Sequence, residues 1–104
     1  MMIARWTCEA NFGMKSEALA LLKEWQEQIG VQAGLDAART RTITGSVGAK
    51  EAIIQDEFEI ENLTELDEFF EKISKVEMHA DWGKKLGQVI VSGSTYWEVF
   101  RVVD

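Results

Sequence analysis

Arg39 and Arg41 stand at alternate positions in "AARTRTITG", residues 37–45. In an extended chain alternate side chains share a face, so this spacing aims both guanidiniums the same way. Fixed forks of donors suit the gripping of a carboxylate, an enolate or a phosphate. His79 is the one histidine, with Trp82 three positions on. It reads either as a partly exposed residue near a helix start or as a general base or axial haem ligand. With no second His and no Cys cluster it carries no metal signature, and no metal is expected. The one cysteine, Cys8, lies between Trp6 and Ala10 and reads as a buried, inert thiol.

These residues need elements to position them. Residues 2–10 alternate, with Met2, Ala4, Trp6, Cys8 and Ala10 on an apolar face and Arg5, Thr7 and Glu9 on a polar one. Residues 11–30 change to a helical period, with Ala18, Leu21, Leu22, Trp25 and Ile29 on one stripe and Gly30 as the stop. The arginine strand spans about 37–44 and is followed by the turn "GSVGAKE". The next strand carries Ala52, Ile54, Phe58 and Ile60 on one face, with Asp56 intruding, and Gln55, Glu57, Glu59 and Glu61 on the other. "NLTELDEFFEKISK" is a helix whose start fits a capping pattern of Asn62 with Glu65 or of Thr64 with Asp67. A further helix, or a continuation of this one after a break, follows with Met78, Trp82, Leu86 and Val89 on one side, and then "TYWEVFRVV", a last strand apolar on both faces. Pairing Ile43 with Ile53 sets Arg41 opposite Gln55 and Arg39 opposite Glu57, which leaves Arg41 the less compensated guanidinium. Arg5 joins the same surface. Its charges either neutralise one another or leave one arginine free for a ligand.

The order β-α-β-β-α(α)-β is the ferredoxin-like split βαβ arrangement: an α+β fold with a four-stranded antiparallel sheet and helices on one face. A single domain covers residues 1–104. In "ANFGMKSEALALLKEW", "FEIENLTELDEFFEKI" and "DWGKKLGQVIVSGSTYWEVFRVV" the chain resembles the dimeric α+β barrel superfamily, which includes NIPSNAP-like and antibiotic-biosynthesis-monooxygenase-like proteins. The resemblance implies a homodimer in which two open sheet faces meet as a barrel, lining an interface or a pocket. Haem-degrading members use an Asn, a Trp and a His. Here Asn11, His79 and Trp82 are present, but His79 precedes Trp82, the reverse of that family's order, so no haem or other cofactor is expected.

A net charge of −7 disfavours non-specific binding to nucleic acid or an anionic membrane. No apolar run approaches the ~20 residues of a membrane helix. The opening residues lack the pattern of a signal peptide, and a lone cysteine makes the cytoplasm the default location. The expectation is a homodimer that binds a small anionic or aromatic molecule, with Arg5, Arg39, Arg41, Glu57, His79 and Trp82 as candidate pocket residues. The alternative is a cofactor-independent monooxygenase-like or isomerase-like enzyme. Fold alone cannot choose between binding and turnover.

Overall fold

A computed structural model describes residues Met1–Asp104. Strand β1 (Met2–Glu9) leads into helix α1 (Lys15–Glu24), a π-helical turn (Trp25–Ile29) and a 3-10 turn (Gly30–Ala33). After a second 3-10 turn (Ala37–Arg39) come strands β2 (Thr40–Thr44) and β3 (Ile53–Ile60), helices α2 (Leu63–Ser74) and α3 (Met78–Gly87), and strand β4 (Tyr96–Arg101). The strand order is β2-β3-β1-β4 with every pairing antiparallel, which is the ferredoxin-like topology.

The alternating pattern of β1 and β3 decides which sheet face is covered. Ala4 and Cys8 of β1 and Ile54 and Ile60 of β3 are buried against Ala18, Leu22 and Ile29 beneath the helices. Trp97 and Val99 pair with Trp6 and Ala4, so these two β4 residues face the helices, while Tyr96, Glu98 and Phe100 lie on the open side. This settles the orientation of a strand whose two apolar faces leave it ambiguous in sequence.

Helix α2 starts at the first of the two caps its sequence offers. The Asn62 side chain accepts from the Glu65 amide at 2.9 Å, and the Glu65 carboxylate accepts from the Glu61 amide at 2.7 Å. Leu66, Phe69 and Ile73 form its buried stripe. In α3, Trp82 and Leu86 are buried as expected, but Met78 is exposed.

Three local expectations are corrected. The first helix does not stop at Gly30; the chain continues to Gly34, whose φ of 89° is the left-handed conformation a helix end requires. Gly30 meets a packing need instead, since a Cβ there would lie 2.7 Å from Leu35 Cδ2. The second strand begins at Thr40, not at 37, because the Asp36 carboxylate accepts from the Ala38 amide at 2.9 Å and caps a short turn that ends at Arg39. Finally, the β2–β3 register is displaced by two residues: Arg41 faces Glu57 and Ile43 faces Gln55. An even displacement leaves every side chain on its face, so the apolar pattern could not resolve it.

Candidate functional site

The six residues singled out in the sequence fall in two places. Arg5, Arg41 and Glu57 lie on the open face. His79 and Trp82 lie beneath the helices, and Arg39 sits at the edge between.

On the open face one row crosses the whole sheet in the order Arg41, Glu57, Arg5, Glu98. Glu57 is only 3 % exposed, because two guanidiniums cover it. Arg5 Nε donates to Glu57 Oε2 at 2.6 Å and Arg41 Nε donates to Oε1 at 2.8 Å. Burial alone would raise the Glu57 carboxyl, but the hydrogen bonds and charges of Arg41 and Arg5 outweigh it and hold the carboxyl below the usual range. Arg5 also lies 4.6 Å from the centre of the Phe100 ring. The expected Arg39–Glu57 pair is not formed. With Arg39 at the end of a turn, its guanidinium donates to the Glu59 carbonyl at 2.6 Å and pairs with Glu65 at 3.1 Å. It ties the approach to β2 onto β3 and α2. An open depression of about 300 Å³ is lined here by Ile3, Arg39, Arg41, Glu57 and Glu59. All three arginines already hold a carboxylate, so the idea of an uncommitted Arg41 is withdrawn.

The other place is a cavity of about 220 Å³ between the sheet and the helices. All four tryptophans of the chain line it: Trp6 and Trp97 from the sheet, Trp25 from the π-helical turn and Trp82 from α3. Phe58, Phe69 and Phe70 complete the aromatic wall. Trp25 meets Phe69 edge-on at 6.1 Å between ring centres, and Trp97 meets Phe70 in the same manner at 5.0 Å. Such edge contacts hold large rings in fixed orientation. Trp82 is anchored by its indole N–H, which donates to the Leu21 carbonyl at 2.7 Å.

Four polar residues interrupt this wall, Gln26, Thr40, Asp56 and His79, and two of them are titratable. His79 stacks on Trp82, and its Nδ1 accepts from Trp25 Nε1 at 3.2 Å. Indole can only donate, so Nδ1 is the acceptor in this bond. Asp56 is 7 % exposed. Its Oδ1 accepts from Thr42 Oγ1 at 2.6 Å and from Gln26 Nε2 at 3.3 Å. Burial pushes the Asp56 carboxyl up, while the hydrogen bonds from Thr42 and Gln26 pull it down. Cys8 sits fully buried nearby, its thiol pushed up to about 12 by burial and then by the Asp56 charge, so it is inert as expected.

The π-helical turn makes this arrangement. Successive residues Trp25 and Gln26 each grip one polar group, Trp25 the imidazole and Gln26 the carboxylate. Widened turns of this kind recur at functional sites. Asp56, Trp25, Gln26 and Thr42 were not among the sequence candidates. The signal for Asp56 was present as a carboxylate breaking an apolar face. Nothing in the sequence signals the widened turn. No group of three or more His, Cys, Asp or Glu is arranged to hold a metal ion, and no helix is long and apolar enough to cross a membrane.

No family model and no curated protein matches the chain. Solved structures do. An uncharacterized NIPSNAP domain protein from Burkholderia xenovorans superposes with a TM-score of 0.78 at 10% identity, covering 99% of this chain and 95% of that one. A NIPSNAP family protein from Agrobacterium tumefaciens gives 0.78 at 16% identity, with 99% and 93% covered. A putative antibiotic biosynthesis monooxygenase from Bordetella bronchiseptica gives 0.68 at 12% identity, with 98% and 97% covered. The chain thus has, over nearly its whole length, the ferredoxin-like α+β fold of NIPSNAP and antibiotic-biosynthesis-monooxygenase-like proteins.

Proposed function

We propose that this protein binds a small aromatic molecule in the cavity between its sheet and its helices, and that it works as a homodimer joined through the open sheet face. The observation that carries the binding reading is the convergence of all four tryptophans on one cavity of about 220 Å³ that also holds two titratable groups, Asp56 and His79. Binding sites are typically apolar clefts with a few placed polar groups. The volume lies below the roughly 300–1,000 Å³ of sites for drug-sized ligands, so the ligand is one or two rings in size. The arginine surface supports the second half of the proposal. Its guanidiniums are held internally, while Ile43, Tyr96 and Phe100 stay exposed around them, a composition suited to a protein partner.

The binding reading is tested by titrating the protein with indole-sized aromatic compounds while following tryptophan fluorescence. Saturable quenching is expected, weakened by Trp82→Ala in a variant that keeps its far-UV circular dichroism. Absence of saturable quenching by any such compound would sink the reading.

A further inference from the structure

We propose that the ligand of the inner cavity is a small organic cation, with an ammonium-type head seated against Asp56 and an apolar body lying among the tryptophans. This rests on the reading that the cavity binds a small molecule, and it adds the charge of that molecule.

Two neighbouring carboxylates are treated in opposite ways. Glu57 and Asp56 are both more than nine-tenths buried, on opposite faces of β3. Glu57 is answered by two guanidiniums. Asp56 forms no ion pair at all. Its only donors are the neutral groups of Thr42 and Gln26, both on Oδ1, and its Oδ2 takes no hydrogen bond from the protein. A buried carboxylate without a counter-charge is costly, and the cost is relieved by taking up a proton or by a cation arriving from outside.

No lysine or arginine lines the cavity. The one basic group in the lining, His79, has its Nδ1 engaged by the Trp25 indole. The cavity therefore contains one carboxylate and no lysine or arginine to balance it. Its walls supply the second half of a cation site, since the faces of tryptophan and phenylalanine attract positive charge. The net charge of −7 adds a long-range bias in the same direction. An anion would instead meet an uncompensated carboxylate in a site of low polarity. The anionic ligands expected from the arginine strand therefore do not suit this cavity.

The test compares three probes of similar shape on the full chain: phenethylammonium, 2-phenylethanol and 3-phenylpropanoate. Binding is read by tryptophan fluorescence and by isothermal calorimetry. The cation is expected to bind about tenfold more tightly than the alcohol, with the carboxylate weakest. In Asp56→Asn the cation and the alcohol should come within about twofold of each other, with the affinity for the alcohol kept. The wild-type ranking needs no variant, so the test survives a variant that fails to fold. If wild-type protein binds the alcohol as tightly as the cation, the charge assignment is overturned and the aromatic site stands. A tenfold cation preference that persists undiminished in Asp56→Asn also overturns the assignment, because the head then sits elsewhere. If none of the three probes binds, while a neutral fused-ring aromatic such as indole does, the charge assignment fails alone. If indole fails as well, both readings fall.

Discussion

The two buried carboxylates should titrate with opposite sign, and each can be read separately. The folded state holds the Glu57 carboxyl below its ordinary value of 4.5, so its pairing stabilises the protein above that value and is lost as pH falls through the lower folded value. Glu57→Gln should therefore lower the melting temperature at pH 7, with the deficit closing in acid. Its cost should be about 1–3 kcal/mol, between the limits for exposed and buried pairs, because Arg41 is largely exposed while Glu57 is not. Arg41→Ala should cost less than about 1 kcal/mol for the same reason. Asp56 is shifted upward from its ordinary 3.8, so its contribution is fully present below that value and is lost as pH rises through the higher folded value. Asp56→Asn should accordingly raise the melting temperature at neutral pH relative to wild type, and the gain should shrink toward pH 4; an Asn variant that is less stable at every pH would contradict this. Cys8, fully buried, should resist thiol reagents in the native protein and react only on unfolding. At this scale the sequence was informative about Cys8 and about Asp56 as an oddity. It was misleading about Arg39 and Arg41, because the partner of an arginine depends on a register that side-chain type does not encode.

Among the elements, the β2–β3 hairpin shows where legibility ends. Both strands and their polar faces could be read from alternation, yet the pairing was displaced by two residues. The turn decides it. The Gly45 amide donates to the Ile53 carbonyl at 3.1 Å and closes the hairpin one step nearer its tip than an Ile43–Ile53 pairing would. A Cβ on Gly45 would run into the Lys50 carbonyl, which is main chain and cannot move aside alone. Gly45→Ala should thus cost about 3 kcal/mol or more, measured by denaturant unfolding. Gly30→Ala is a milder case, since Leu35 Cδ2 is the end of a flexible side chain, but the Trp25 ring lies 3.0 Å from the added carbon. It should cost roughly 1–3 kcal/mol and weaken binding of aromatic probes by displacing Trp25. Helix α2 was legible almost to the residue because its cap is local chemistry between Asn62 and Glu65. The turns after α1 were not, because Gly30 is fitted against Trp25 and Leu35 and Ile29 is held by the core.

For the molecule as a whole, element order and sheet topology were the most legible features, since they follow from hydrophobic period and length. The site was less so, because the strands separate the arginines from His79 and Trp82 by the thickness of the sheet. The open face carries the remaining whole-molecule prediction. Phe100→Glu, placed beside Arg5, should convert a dimer seen by light scattering at micromolar concentration into a monomer. A wild-type protein that is already monomeric would defeat the proposed pairing. The widened turn at Trp25–Ile29 holds one residue more than an α-helical turn, and each helical residue rotates the chain by about 100°. With one residue fewer, the helix could keep Ile29 in the core or Trp25 and Gln26 in the cavity, but not both. Deleting one residue from this turn should therefore cost the protein either the packing of Ile29, read as a lower melting temperature, or the hold of Trp25 and Gln26 on the imidazole and the carboxylate, read as weaker binding of aromatic probes.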